Sequence, residues 1–171
     1  MSENIASDRL MYRPIIATDW TDLAAILANV EHLRFSQSMT TAEDQQRYIH
    51  QLASQWQRFG YGAWLIQQKS SAAILGWGGI IVDEQEPGWG PELIYYLAPD
   101  QCGYGYATEL AKTAVTFALQ QLELQSIAAF AHPNNLASNR VLVKAGFEYR
   151  DYVASLDRHY YCCTQRIVTE V

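Results

Sequence analysis

The segment Cys102-Gly103-Tyr104-Gly105-Tyr106-Ala107-Thr108 constrains the fold more than any other stretch of this chain. Before it stands a short apolar run, Glu92–Leu97, closed by Pro99. After it Ala107, Leu110, Ala111, Ala114 and Ala118 recur at helical spacing, over about Gly105 to Leu122. A strand therefore enters a glycine turn and leaves it as a helix. Glycine tolerates positive φ and lets backbone N–H groups approach a ligand with no Cβ in the way. The helix N-terminus adds unpaired N–H groups and the positive end of the dipole. The turn reads either as an anion cradle suited to a pyrophosphate or as a tight turn alone. The dinucleotide fingerprint G-x-G-x-x-G asks for an acidic residue ~20 positions further on. Gly103, Gly105 and Glu123 fit it, but Thr108 takes the third glycine position. No G-K-[ST] phosphate loop is present.

Around this unit the chain reads as one α/β domain. Arg9–Ile16 predicts a first strand, and Asp19 the cap of a helix carrying Trp20, Leu23, Ala24, Leu27 and Ala28. Thr41 with Asp44 predicts a capped second helix to about Phe59. Two β-rich runs, Gly62–Gln68 and Ile74–Val82, precede a loop at Asp83–Pro91. Beyond the central helix, Ser126–Ala131 predicts a strand, and Asn135 caps a short helix ending at Gly146. Phe147–Ala154 and Tyr160–Ile167 predict a closing hairpin. The expected order is β-α-α-β-β-β-α-β-α-β-β, with no repeat and no linker.

Composition then excludes several roles. Twelve basic against eighteen acidic residues leave a charge of −6, the opposite of a phosphate-tracking nucleic-acid binder. This excess is compatible with a cationic partner. No apolar run approaches the ~18 residues that span a bilayer, and MSENIASDRL lacks the basic-then-apolar pattern of a secretory signal. Cys102, Cys162 and Cys163 form neither a disulfide framework nor a metal-ligand spacing, and His32, His50, His132 and His159 have none either. No metal is expected, and a reducing cytoplasm fits best. His132, beside Pro133, and Trp89, in the glycine-rich loop, are further candidates for substrate contact, and Arg140 and Lys144 for phosphate contact.

The glycine turn, together with Asn135-Leu136-Ala137-Ser138 and Lys144-Ala145-Gly146-Phe147, resembles the GNAT superfamily of N-acetyltransferases. Four motifs in order, Arg9-Leu10 through Arg13-Pro14, Glu92-Leu93-Ile94-Tyr95, Gly103 to Glu109, and Asn135-x-x-Ser138, resemble its ribosomal-protein alanine N-acetyltransferase-like (RimJ/RimL-type) branch, over residues 8–168 as a single domain. The resemblance implies a mixed sheet of about six or seven strands with about four helices, splayed near its middle to hold acetyl-CoA as cosubstrate. Its pyrophosphate loop falls on Cys102, Gly103, Tyr104, Gly105, Tyr106, Ala107 and Thr108, with Cys102 replacing the usual Arg or Gln. Tyr95, Tyr96 and Leu97 would pair with the pantetheine arm and supply oxyanion donors, and Asn135 and Ser138 would contact the same arm.

The implied reaction is direct acetyl transfer from the thioester to a primary amine, on a protein N-terminus or a small molecule. An amine with a pKa of ~10.4 is nucleophilic in about one molecule in 10³ at neutral pH, so a base is needed. Glu92, opening an apolar strand, is the candidate base. Many superfamily members carry a tyrosine acid where this chain has Leu142, and the branch resemblance suggests Ser138 instead. Loss of that tyrosine and of the Arg or Gln at Cys102 supports the alternative of a non-catalytic acyl-CoA sensor. A third reading, nicotinamide-dinucleotide binding, rests on Gly103, Gly105 and Glu123. A monomer or a homodimer is expected.

Overall fold

In the computed structural model, which describes residues 5–165, the strands are β1 (Ile5–Ala6), β2 (Leu10–Pro14), β3 (Ala63–Gln68), β4 (Ile74–Val82), β5 (Pro91–Leu97), β6 (Ser126–Ala131), β7 (Glu148–Val153) and β8 (Arg158–Thr164). They form one mixed sheet in the order β1-β2-β3-β4-β5-β6-β8-β7, of eight strands and not six or seven. The extra strand is β1, which folds back antiparallel on β2 through Ile5↔Tyr12 and Ala6↔Met11. Two residues are too few to show a period of two. Arg166 and Ile167, expected at the end of the last strand, and residue 168 lie outside the described residues.

Four α-helices cover the sheet: α1 (Trp20–Leu27), α2 (Ala42–Phe59), α3 (Tyr106–Thr116) and α4 (Leu136–Lys144). Thr41 caps α2 as expected, its hydroxyl oxygen accepting from the Asp44 N–H at 3.1 Å. Asp19 does not cap α1. A 3-10 turn at Ala17–Asp19 already places it in helical φ/ψ, so its carboxylate turns back to the Ile16 N–H and Arg13. The central helix is also shorter than its apolar period suggests, passing into a π turn at Phe117–Gln121. No helix among the described residues is long and apolar enough to cross a membrane.

The pleat of β5 divides the interior. Ile94 and Tyr96 pack with residues of α1 and α2, including Leu23, Leu27, Ile49 and Leu52. Leu93, Tyr95 and Leu97 pack on the other face with Leu110, Ala111, Ala114 and Leu142 of α3 and α4. On its N-terminal side β5 is held to β4 over its whole length, from Val82↔Pro91 to Gly76↔Leu97. Gly76 permits this closeness: its φ is +151°, and a Cβ there would sit 1.9 Å from the Tyr96 carbonyl oxygen. On the other side β5 runs parallel to β6 and meets it only at Glu92↔Ala128. Beyond that pair the strands part, while β6 stays paired with its antiparallel partner β8 from Ser126↔Thr164 to Ala131↔His159. The splay opens a cleft in the middle of the sheet.

Candidate active site

The cleft is a cavity of about 640 Å³, within the ~300–1,000 Å³ usual for small-molecule sites. It collects nearly every residue singled out from the sequence. Glu92, Tyr95, Tyr96, Leu97, Cys102, Gly103, Gly105, Tyr106, Ala107, Thr108, Asn135 and Ser138 all line it. Tyr104 does not; its ring is 62% exposed, against Tyr106, and only its carbonyl is engaged. Arg140, Lys144 and His132 also line the cavity. Trp89 stands behind the wall, edge-on to Phe130, which itself lines it. Glu123 is exposed and outside the cavity, which removes the acidic residue the dinucleotide reading needs.

Glu92 occupies the root of the splay. Its pKa is pushed from an ordinary 4.5 up to about 8, first by burial and then by the negative charge of Asp83. No hydrogen bond or ion pair to its carboxylate occurs among the described residues, so neither a basic neighbour nor the sheet edge claims it. By the alternation of side chains it shares a face with Ile94 and Tyr96. The Tyr96 hydroxyl is hydrogen-bonded to Ser36 Oγ at 2.9 Å, and burial raises its pKa.

On the opposite face, the Tyr95 hydroxyl lies 2.7 Å from Ser138 Oγ. Burial raises the Tyr95 pKa, outweighing the lowering effect of the Ser138 hydrogen bond, so the phenol holds its proton at neutral pH. Ser138 is set by its helix: Asn135 caps α4, its Oδ1 accepting from the Ser138 N–H at 3.1 Å. Leu142, where the resemblance would place a tyrosine acid, is buried in the core with 1% exposure.

The same strand presents main-chain groups. The Ala98 N–H donates to the Leu75 carbonyl, which fixes the phase of the β4–β5 ladder. By the alternation of an antiparallel pair, the Tyr96 N–H then turns to β4, while the Tyr95 and Leu97 N–H groups turn to the cleft. The Leu97 carbonyl accepts from His32 Nε2 at 2.6 Å.

Gly105 stands at the N-cap of α3 with φ +83°, a left-handed conformation that a side chain would strain. None of the N–H groups of residues 103–108 has a hydrogen-bond partner among the described residues. Arg9 fixes this loop from the bend between β1 and β2. Its Nη1 donates to the Tyr104 carbonyl at 2.8 Å, its Nε to Glu109 Oε2 at 2.8 Å, and its guanidinium lies 4.5 Å over the Tyr106 ring. Burial opposes the Glu109 charge, but hydrogen bonds from Ser7 and Arg9 prevail and hold its pKa below the usual value. Cys102 also lines the cavity; burial, then Asp100, raises its thiol pKa, so it stays protonated.

Sequence reasoning did not find the far wall. His32, Arg34, Phe35 and Ser36, all from the connection between α1 and α2, line the cavity, as does Arg158 at the start of β8. Arg158 Nη2 donates to the Phe35 carbonyl at 2.9 Å, and Phe35 stacks on His132 with ring centroids 4.9 Å apart. The length of that connection was the available signal, since structureless loops beyond ~12–15 residues are uncommon outside functional sites. Asn139 was also missed. Its amide donates to the His132 and Asn135 carbonyls and its oxygen accepts from the Tyr161 hydroxyl and the His159 ring, tying the first turn of α4 to β6 and β8.

Comparison with known proteins gives a consistent result. The family model described as an acetyltransferase (GNAT) domain matches residues 9–148. The chain is 27% identical over 146 residues to the uncharacterized N-acetyltransferase YoaA of Bacillus subtilis (strain 168), covering 84% of this chain and 82% of YoaA. An acetyltransferase from Agrobacterium tumefaciens str. C58 superposes with a TM-score of 0.83 at 21% identity, covering 96% of both chains. The microcin C7 self immunity acetyltransferase MccE, solved with acetyl-CoA and AMP, superposes with a TM-score of 0.75 at 14% identity, covering 93% of this chain and 94% of that one.

Proposed function

The chain belongs to the GNAT acetyltransferase family, and on that premise we propose that it moves an acetyl group from acetyl-CoA directly to a primary amine, with Glu92 as base and Ser138 serving the leaving sulfur. One observation carries the assignment: the two groups project from opposite faces of the splay into a single cavity, Glu92 toward α1 and α2, and Ser138 from α4 onto Tyr95. An amine entering on one face and a thiolate departing on the other need their proton acceptor and donor on those two sides.

The chain supplies what the cosubstrate requires. The free N–H groups of residues 103–108 suit the pyrophosphate, with Arg140 and Lys144 on the same wall. The Tyr95 and Leu97 N–H groups suit a pantetheine amide or the oxyanion that forms on the acyl carbon. Asn135 spends its Oδ1 on capping and keeps its Nδ2 for the same arm. Glu92 accepts a proton from the amine as the N–C bond forms. As the C–S bond breaks, Ser138 delivers a proton to sulfur and regains one from solvent. When Tyr95 is the donor in its 2.7 Å contact with Ser138 Oγ, the serine proton is left to point at the sulfur. The protonated Cys102 thiol supports direct transfer over an acyl-enzyme.

The Asn135-x-x-Ser138 motif and the Tyr95–Ser138 contact support the RimJ/RimL-type branch, and with it a single domain over residues 8–168 acting in the cytoplasm on a protein N-terminus or a small amine. The test is a thermal shift followed by thiol release across a panel of amines and peptides. Acetyl-CoA at 100 times Kd stabilises by ~2.7 kcal/mol, a Tm rise of roughly 5–11 °C. No rise with acetyl-CoA sinks the reading. A rise with no thiol release from any acceptor leaves the acyl-CoA sensor.

A further inference from the structure

The described arginines divide by location. Outside the cavity, Arg9, Arg13, Arg47, Arg58 and Arg150 each sit beside a carboxylate, on Glu109, Asp19, Asp44, Glu84 and Glu148. Arg34, Arg140 and Arg158 line the cavity, and none of them has a carboxylate partner among the described residues. Lys144 lines it unpaired as well. In a chain of net charge −6, the described arginines that lack a carboxylate partner all line this cavity, where Glu92 is the only carboxylate among the described lining residues.

These cations fall into two groups. Arg140 and Lys144 extend from α4, the helix that carries Ser138, and belong to the cosubstrate side. Arg34 and Arg158 are at the other end, with Ser36 and Tyr96, on the face toward which Glu92 projects. Arg158 spends two donors on the carbonyls of Phe35 and Asp157, which orient the guanidinium without neutralising it. The Arg34 guanidinium lies 4.8 Å over the Phe35 ring, and its one hydrogen bond among the described residues, at 3.4 Å, is to the Glu31 carbonyl. The neighbouring Asp157 carboxylate feels the Arg158 charge but is engaged by Tyr152 and His132 and forms no ion pair with it, so both arginines keep donors for another anion. Guanidinium groups so placed recognise carboxylate or phosphate oxygens.

We infer that the acceptor is an amine that also carries an anionic group, a carboxylate or a phosphate, which Arg158 and Arg34 bind while Glu92 takes the amine proton. The inference rests on the acetyl-transfer reading and narrows it. It excludes polyamines and aminoglycosides as preferred substrates, since their further positive charges would face two arginines at short range. Free amino acids, aminoalkyl phosphates and peptides with an acidic residue next to the N-terminus share the required chemistry.

The test uses matched acceptors and follows thiol release from acetyl-CoA. Amino acids are compared with their carboxamides, an aminoalkyl phosphate with the corresponding amino alcohol, an acidic N-terminal peptide with its amide analogue, and spermidine stands as the polycation. The expected result is a preference of about tenfold or more in kcat/KM for the anion-bearing member of at least one pair. Arg158→Gln and Arg34→Gln should collapse that ratio, and Arg158→Lys should retain most of it, with KM for acetyl-CoA unchanged in all three. Because Arg158 also holds Phe35, a merely structural loss would slow both members of a pair equally and leave the ratio intact. An intact ratio in both glutamine variants, faster turnover of spermidine or of the neutral members, or no turnover of any anion-bearing amine by protein that binds acetyl-CoA would overturn the inference and leave acetyl-CoA binding standing. Failure to bind acetyl-CoA would overturn the reading beneath it.

Discussion

Glu92→Gln separates a catalytic from a structural carboxyl, because the environment of Glu92 sets the pH at which it can act. With a pKa of about 8, roughly one Glu92 in eleven is ionised at pH 7, and roughly ten in eleven at pH 9. The ionisation of the amine is common to wild type and variant, so their ratio of kcat/KM isolates the contribution of the carboxylate. That ratio should rise about tenfold between pH 7 and pH 9, with a midpoint near 8, toward a plateau in the ~10²–10⁴ range of general base catalysis. Asp83→Asn should move the midpoint to lower pH, since Asp83 is the second cause of the raised value. The assay is thiol release at saturating acetyl-CoA from pH 6 to pH 10. A flat ratio, or a midpoint near 4.5, would refute the assignment.

The same carboxyl makes a second, independent statement about stability. Its folded pKa lies above its ordinary 4.5, so the folded protein holds the proton more tightly than the unfolded chain. The stability this contributes is fully present below pH 4.5 and is lost as the pH rises through about 8. The whole loss is at most on the order of 4–5 kcal/mol at ~1.36 kcal/mol per pH unit. Glutamine does not titrate, so Glu92→Gln should raise Tm relative to wild type at pH 9 by more than at pH 4.5. Lower activity with higher stability at alkaline pH is the pattern of a group buried for chemistry.

Other expectations follow from single contacts. Ser138→Ala should lower kcat by about 10²-fold or more, and the defect should shrink with an aryl thioester donor whose thiolate needs no proton; an equal defect with both donors would remove the acid role. Tyr95→Phe should add little in the Ser138→Ala background, because the two act through one hydrogen bond. Arg9→Met keeps bulk over Tyr106 but releases the Tyr104 carbonyl and Glu109, so KM for acetyl-CoA should rise with little change in kcat; an unchanged KM would show that the loop is set without Arg9. Asn139→Ala strands the Tyr161 hydroxyl and the His159 ring and should cost ~1–3 kcal/mol in urea denaturation.

The sequence carried the architecture well where the signal was local. Apolar runs located β4 and β6 to the residue, and the glycine turn located α3 and its anion-binding end. Thr41 and Asn135 marked the starts of α2 and α4 through side-chain capping, a short-range effect. Asp19 misled because the preceding 3-10 turn shifts its backbone into helical φ/ψ before the helix begins. The two faces of the site were in principle legible as well. Glu92 and Tyr95 are three residues apart on one strand, and an odd separation alone assigns them to opposite sides of the sheet.

The acceptor wall was not legible, for a reason rooted in how it forms. Arg34 and Arg158 lie far apart in the chain, and neither sits in a motif. They reach one cavity only because Arg158 bonds the Phe35 carbonyl and Phe35 stacks on His132, contacts that depend on the finished splay between β5 and β6. Net charge points the other way, toward a cationic partner, because it averages over carboxylates that already neutralise arginines elsewhere on the surface. The electrostatics that select a substrate come from charges left unpaired inside the cavity. There the balance is basic, apart from the Glu92 carboxyl, which is largely neutral at pH 7.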